Sequence, residues 1–209
     1  MDYDITRWLP TGIAAIRHPV AMMSSHFQFL SRSQADEAVA QVQGIGVDAI
    51  AVEARGADPA APATVVSAAV ARWRHIDIIV NNAGTWEDYN FKDMTYEPWE
   101  RQLHANTTCR LPGLRGMQGA IALARELGHK YNATLNCISP GPIGTELWAQ
   151  STQDPEMSKA WQSSIQSTPA APQVGEVDDI AQIVAFLSEE SSRWVTGMVV
   201  SANGGLMFD

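Results

Sequence analysis

From residue 27 onward the chain alternates short β-rich runs with stretches of helical apolar spacing, which narrows the fold to a parallel sheet flanked by helices. HFQFLS (26–31) reads as a strand. Ser33 followed by Asp36 reads as a capping box opening a helix through SQADEAVAQVQ, which Gly44 or Gly46 ends with positive φ. DAIAVEA (48–54) is the next strand. Asp58-Pro59 supplies an N-cap and a first-turn proline for a helix whose inner face carries Val65, Val66, Ala69 and Trp73. IDIIV (76–80) is a continuous apolar run suited to a buried strand. Thr95 caps a helix carrying Trp99 and Leu103. Met117, Ile121, Ala124 and Leu127 mark another helix, which Gly128 stops, and ATLNCIS (133–139) follows as a strand. The segment 140–175, rich in Pro, Ser, Thr and Gln, reads as a loop or flap with one short helix near 155–163. Asp178 begins the amphipathic helix DDIAQIVAFLS, and TGMVVSANGG (196–205) closes the pattern as a strand and turn.

The length of 209 residues is that of one domain, 1–209. Acidic residues outnumber basic ones by 23 to 14, for a net charge of -9, which argues against a nucleic-acid backbone or an anionic membrane as partner. Cys109 and Cys137 are too few for a disulfide framework or a zinc cluster, so no metal is expected. The start, MDYDITRW, is not basic and then apolar, and no apolar run approaches the ~18 residues of a membrane span. A soluble cytoplasmic protein acting on a small molecule is the expectation.

Three strings accumulate in order: IDIIVNNAG (76–84), NCISPGPIGTEL (136–147) and GEVDDIAQIVAFLSEESSRWVTGMVVSANGG (175–205). Together they resemble the short-chain dehydrogenase/reductase family, over nearly everything after residue 26. The resemblance implies an α/β fold with a Rossmann-type doubly wound parallel sheet, a nicotinamide dinucleotide, and hydride transfer to or from a carbonyl or alcohol. Asn82, Ala83 and Gly84 match the strand end that approaches the adenosine half of the cofactor. Pro140, Gly141, Ile143 and Thr145 match the segment beside the nicotinamide, whose backbone groups bond the carboxamide. Arg32 and Ser33 match the position facing the adenine ribose, where a guanidinium suits a 2′-phosphate and a carboxylate suits a free hydroxyl. No acid ends that strand, so NADP(H) is expected over NAD(H).

The chain also departs from the family. The glycine-rich turn T-G-x-x-x-G-x-G is replaced by LPTGIAAIRHPVAMM, in which Gly12 is the remnant and Pro19 interrupts any following helix. Arg55 stands where the family usually has an aspartate. Asn106 matches the asparagine of the proton relay, but only TTCRLPGLR separates it from GMQGAIALARELG. In the family a strand ending in serine and a Tyr-x-x-x-Lys helix would intervene. With Gly116-Met117 aligned, Thr107 and Leu111 occupy the tyrosine and lysine positions. Positioned acid–base catalysis is worth roughly 10²–10⁴-fold, so its loss bears directly on rate. The sheet is shortened by the same deletion. Either 107–111 stretches across as a replacement strand, or the flanking helices form a hairpin that inverts strand 133–139.

Two functional readings stay open on these residues. One is a divergent NADP(H)-dependent oxidoreductase acting on a small carbonyl or alcohol, with Asn106 as its catalytic remnant. The other is a catalytically impaired scaffold acting by self-association or partner binding. Family helices corresponding to 95–106 and 113–128 often make subunit contacts, so the resemblance implies a homo-oligomer.

Overall fold

The computed structural model describes residues 8–9, 13–14, 20–24, 32–53, 60–82, 95–97 and 116–207. Their elements fall into two compact units, one holding the elements up to residue 73 and the other those from residue 116.

In the first unit, β1 (Trp8–Leu9) and β2 (Ile13–Ala14) form a short antiparallel pair around the expected phosphate-loop remnant. β3 (Val20–Ser24) lies parallel to β4 (Ala49–Glu53), with Val20 opposite Ala49 and Ser24 opposite Glu53. The strand that pairs with DAIAVEA is therefore VAMMS. The expected strand 26–31 lies outside the described residues.

The two strands are joined through α1 (Arg32–Gly44). Ala35, Ala38 and Val42 recur at three- and four-residue spacing on α1 and are buried, and Ala38 and Val42 cluster with Ala49 of β4. The helix begins at Arg32, so Ser33 belongs to its first turn and is not its cap. Of the two glycines expected to end it, Gly46 carries the left-handed backbone, with φ 84°.

The next helix, α2 (Ala61–Trp73), has Pro62 in its first turn, where the missing N–H costs nothing. The expected cap at Asp58-Pro59 lies outside the described residues. Ala69 is buried and Val65, Val66 and Trp73 are half-buried, which is the inner face expected from sequence. The helix ends on Arg74, at φ 73°, whose N–H reaches the Val70 carbonyl at 2.8 Å.

Arg72 grips Asp48 through both carboxylate oxygens, at 2.9 and 3.0 Å, while the Trp73 indole N–H donates to the same carboxylate at 2.9 Å. The end of α2 is thereby pinned to the start of β4. These bonds hold the Asp48 carboxyl below the usual carboxylate range, Arg72 being the larger cause and Trp73 the next.

IDIIV (76–80) forms no strand. Ile76–Asn82 runs as irregular chain, with Ile79 55% and Val80 44% exposed, so the expectation of a buried strand is corrected. An apolar run becomes a strand only where neighbouring strands take up its backbone groups, and no described residue does so.

The second unit opens with α3 (Gly116–Tyr131). Gly128 does not stop it. The helix continues through His129, Lys130 and Tyr131, and Asn132 takes the left-handed position at φ 51°, a conformation asparagine tolerates better than most residues. β5 (Cys137–Pro140) and β6 (Val199–Ala202) pair in parallel, Cys137 opposite Val199 and Pro140 opposite Ala202.

The N-terminal ends of these strands are clipped by Asn136. Its amide donates to the Val195 carbonyl at 2.9 Å and accepts the Met198 N–H at 3.2 Å. The segment read as a loop with one helix contains two helices, α4 (Glu146–Ser151) and α5 (Pro155–Gln166). α6 (Val177–Leu187) buries Ala181, Val184 and Ala185 on one face, and its Asp179 carboxylate reaches back to the Glu176 N–H at 2.7 Å.

Candidate functional site

The parallel pairing of β5 and β6 carries Pro140 and Asn203 to the same, C-terminal end of the strand pair, where ligand sites of open α/β sheets form. Pro140, Gly141, Ile143 and Thr145 are brought together there as one turn fixed from three sides. On one side the Gly141 N–H donates to the Ala202 carbonyl at 3.1 Å, extending the strand pair by one residue. A Cβ on Gly141 would meet the Asn203 Cα at 2.9 Å and its Cβ at 3.0 Å, so the close approach requires glycine.

On another side, Ile143 bridges Gly175 in parallel: the Gly144 N–H donates to the Gly175 carbonyl at 2.9 Å, and the Gly175 N–H to the Pro142 carbonyl at 3.0 Å. Residues 144–175 thus leave and return through one closed neck. On the third side Thr145 caps α4, its Oγ1 accepting the Trp148 N–H at 3.2 Å.

This bonding dictates what the turn offers to a ligand. In a parallel bridge the flanking peptides face the partner strand, so the N–H and carbonyl of Ile143 itself point to the other side. The carbonyl accepts the Thr145 N–H at 2.7 Å, and the Ile143 N–H has no partner among the described residues. A backbone donor in this position suits the oxygen of a carboxamide.

The turn after β6 completes this end. The Asn203 side chain accepts the Gly205 N–H and donates to the Met207 carbonyl, both at 2.9 Å. Gly204, at φ 65°, takes the Ala170 N–H on its carbonyl at 2.9 Å and presses against the Thr168 methyl, only 2.7 Å from where a Cβ would stand. Asn203, Gly204 and Gly175 were given no site role from the sequence. Their only signal was membership of the strings GEVDD and SANGG.

In the first unit, Arg32 and Ser33 stand in the first turn of α1, separated from the end of β3 at Ser24 by residues outside the described set. Arg32 is 92% exposed, with Asp36 3.9 Å away. Asn82 is exposed, at the end of the irregular run from Ile76. Gly12, Ala83, Gly84 and Asn106 lie outside the described residues, as do Arg55, Thr107, Leu111 and the whole of the expected replacement strand 107–111.

Of the three tyrosines that could replace the missing acid, Tyr89 lies outside the described residues and Tyr96 is 74% exposed. Tyr131 sits at the wrong end. Only residues 132–136 link Tyr131 to the start of β5 at Cys137, and a Cβ on Gly128 would meet the Ala133 carbonyl at 3.6 Å, so the C-terminal end of α3 lies at the end of β5 opposite Pro140. The Tyr131 ring lies instead under the Lys130 ammonium, 4.9 Å from its centre, and Tyr131 is the first cause of the raised Lys130 pKa.

Comparison with known proteins bears on this end of the sheet. The family profile described as short chain dehydrogenase matches residues 21–118, and that described as enoyl-(acyl carrier protein) reductase matches residues 117–207. A short-chain dehydrogenase/reductase from Cladobotryum sp., FrzI, is 38% identical, the match covering 93% of this chain and 91% of that one. The chain belongs to the short-chain dehydrogenase/reductase family.

Within this family, versicolorin reductase 1 of Aspergillus parasiticus is 26% identical, over 84% of this chain and 83% of its own. A blue fluorescent protein from a metagenomic library, crystallised in complex with NADPH, superposes with a TM-score of 0.73 at 25% identity, covering 90% of this chain and 87% of its own. The fold is accordingly α/β of the Rossmann type, and the family's activity is that of NAD(P)(H)-linked oxidoreductases. The alignment to the Cladobotryum protein runs over 237 positions, more than the 209 residues of this chain, so that relative carries residues with no counterpart here. No helix among the described residues is long and apolar enough to cross a membrane.

Proposed function

We propose that the chain is a divergent NADP(H)-dependent oxidoreductase acting on a small carbonyl or alcohol, with the turn Pro140–Thr145 as its nicotinamide site. The observation that carries this reading is the Ile143 N–H, turned outward by the Gly175 bridge and left without a described partner at the C-terminal end of β5. The residues present fit the nicotinamide half. Ile143 would donate to the carboxamide oxygen, while Gly141, packed on Asn203, fixes the depth of the turn.

In the adenosine half, Asn82, Ala83, Gly84 and the remnant Gly12 would line the ribose and pyrophosphate. Arg32 and Ser33 would take the 2′-phosphate, with Arg32 free to move because its contact to Asp36 is long and solvent-exposed. The dinucleotide, when bound, supplies or accepts the hydride. Asn106 is assigned to hold the water of the proton relay. Support for NADP(H) over NAD(H) comes from Arg32 and from the NADPH held by the metagenomic relative.

The test is a thermal shift with NADPH and NADH, followed by cofactor oxidation over a panel of carbonyls. NADPH should raise the melting temperature more than NADH does, and Arg32→Ala should remove the difference. Equal shifts with both cofactors in the unaltered protein would refute the preference, and no shift with either would refute the cofactor site. A shift without turnover would favour the scaffold reading, which draws on Thr107 and Leu111 standing where tyrosine and lysine are expected. In that case light scattering showing a homo-oligomer would favour self-association, and a monomer would leave partner binding as the scaffold's role.

A further inference from the structure

The excursion 144–175 leaves the Pro140–Thr145 turn directly and returns to it through the Ile143–Gly175 bridge, so both of its ends are anchored at that turn. Its two helices meet through one aromatic pair: Trp148 of α4 and Trp161 of α5 lie edge to face, with ring centres 5.5 Å apart and planes at 72°. Along α5, Met157, Trp161 and Ile165 recur every four residues and are half-buried, while Glu156, Ser158, Lys159, Ala160, Gln162 and Ser163 are exposed. On α4, Trp148 is half-buried and Leu147 is 37% exposed.

The charge on this excursion is also informative. It carries Glu146, Asp154 and Glu156 against the single base Lys159, all exposed, so it offers no cationic cluster to hold a polyanionic substrate such as a phosphate or a coenzyme thioester. An apolar, partly accessible face with two indoles and a slight negative field suits an uncharged ring system.

We propose that Trp148 and Trp161 form an aromatic platform that selects carbonyl or alcohol substrates bearing an uncharged aromatic ring. The inference rests on the reading of residues 140–145 as the nicotinamide site, which places the platform beside the carbonyl to be reduced. Thr145 sets its position. The threonine caps α4 at the residue where the turn ends, so Trp148, whose N–H it accepts, follows the turn within one helical turn. The two rings are only partly buried, and a flat substrate would stack on the indole surface that the pair leaves accessible.

The experiment compares two ketones of the same skeleton, acetophenone and cyclohexyl methyl ketone, by calorimetric titration with and without NADPH. Aromatic pairing is worth about 0.5–1.5 kcal/mol beyond burial, so acetophenone should bind about two- to tenfold more tightly. Trp161→Leu should abolish that ratio, and Trp161→Phe should keep most of it while melting within a few degrees of the unaltered protein. A tryptophan pair that only fastens α4 to α5 would, once broken, weaken both ketones alike.

An equal affinity for the two ketones in the unaltered protein, or a ratio unmoved by Trp161→Leu, would overturn the platform. So would failure to bind either ketone. If NADPH gives no thermal shift yet the Trp161-dependent ratio persists, the platform stands and the cofactor reading falls. The reverse result removes the platform alone.

Discussion

Replacing Gly141 by alanine tests whether the Pro140–Thr145 turn is held in place by the backbone at the end of β6. The new methyl would stand 2.9 Å from the Asn203 Cα, 3.0 Å from its Cβ and 3.3 Å from its carbonyl oxygen. Carbon atoms pack at about 3.5–4.0 Å, so two contacts are short by roughly half an ångström or more. Two of the three atoms are main chain and cannot rotate away, and the Asn203 side chain is tied by its bonds to Gly205 and Met207.

Relief therefore requires the turn to lift from the strand end, stretching the bond from the Gly141 N–H to the Ala202 carbonyl. Overpacking of this kind costs about 1–3 kcal/mol, which in a chain of this length lowers the melting temperature by about 2–12 °C. Gly144→Ala serves as the control. Its methyl would meet only the Gly175 carbonyl, at an ordinary 3.7 Å, and should change stability by no more than about 0.5 kcal/mol. Differential scanning fluorimetry of the two variants decides the matter. Equal melting temperatures, or a more damaged Gly144→Ala, would refute the argument that Asn203 fixes the turn.

Three further outcomes are expected. Val42→Ala removes two methyl groups from the cluster with Ala38 and Ala49 and should cost about 2–3 kcal/mol in urea unfolding, a loss under 1 kcal/mol showing that the cluster is loosely packed. Asp48→Asn should flatten the acid limb of the stability curve. The native Asp48 carboxyl is held below its unfolded value of about 3.9, so its contribution is complete above that pH and is lost as the pH falls through the native value. Melting curves between about pH 2 and 6 measure this, and parallel curves for variant and wild type would count against the Arg72 grip. Asn136→Leu breaks both bonds that clip β5 to the chain before β6, one exposed and one part-buried, and should cost about 0.5–1.5 kcal/mol by thermal melting.

How much of this was legible in the sequence depended on whether the information was local. The strands Ala49–Glu53 and Val199–Ala202 and the helices α1, α2 and α6 followed from apolar spacing confined to each segment. The turn Pro140–Thr145 was legible too, because its two prolines fix φ and its two glycines admit turn conformations closed to other residues. Of the flap's two helices only the one near 155–163 was legible, since α4 is a single turn and a half of ordinary propensity and is made a helix by the Thr145 cap. α3 passes through Gly128 because one glycine costs only about 1 kcal/mol, which flanking turns absorb. IDIIV misled for a different reason: apolar content marks a strand only if partners exist. The contacts of Gly141 with Asn203 and of Gly204 with Thr168 were invisible, because each joins parts of the chain far apart in sequence.

The direction of β5 carries one more consequence for catalysis. Parallel pairing with β6 places the Pro140–Thr145 turn at one end of the strands and the Asn136 clip at the other, and α3 ends at Tyr131, separated only by residues 132–136 from the start of β5 on the clip's side. Four strand residues span about 13 Å, far more than the ~3 Å over which a phenol passes a proton to a substrate oxygen. Tyr131, although held beside the Lys130 ammonium, therefore lies too far away to stand in for the absent pair. Tyr131→Phe should leave any ketone reduction unchanged in both kcat and KM. A fall in kcat with an unaltered KM would mean that α3 does not end, as its short link through 132–136 requires, at the N-terminal end of β5.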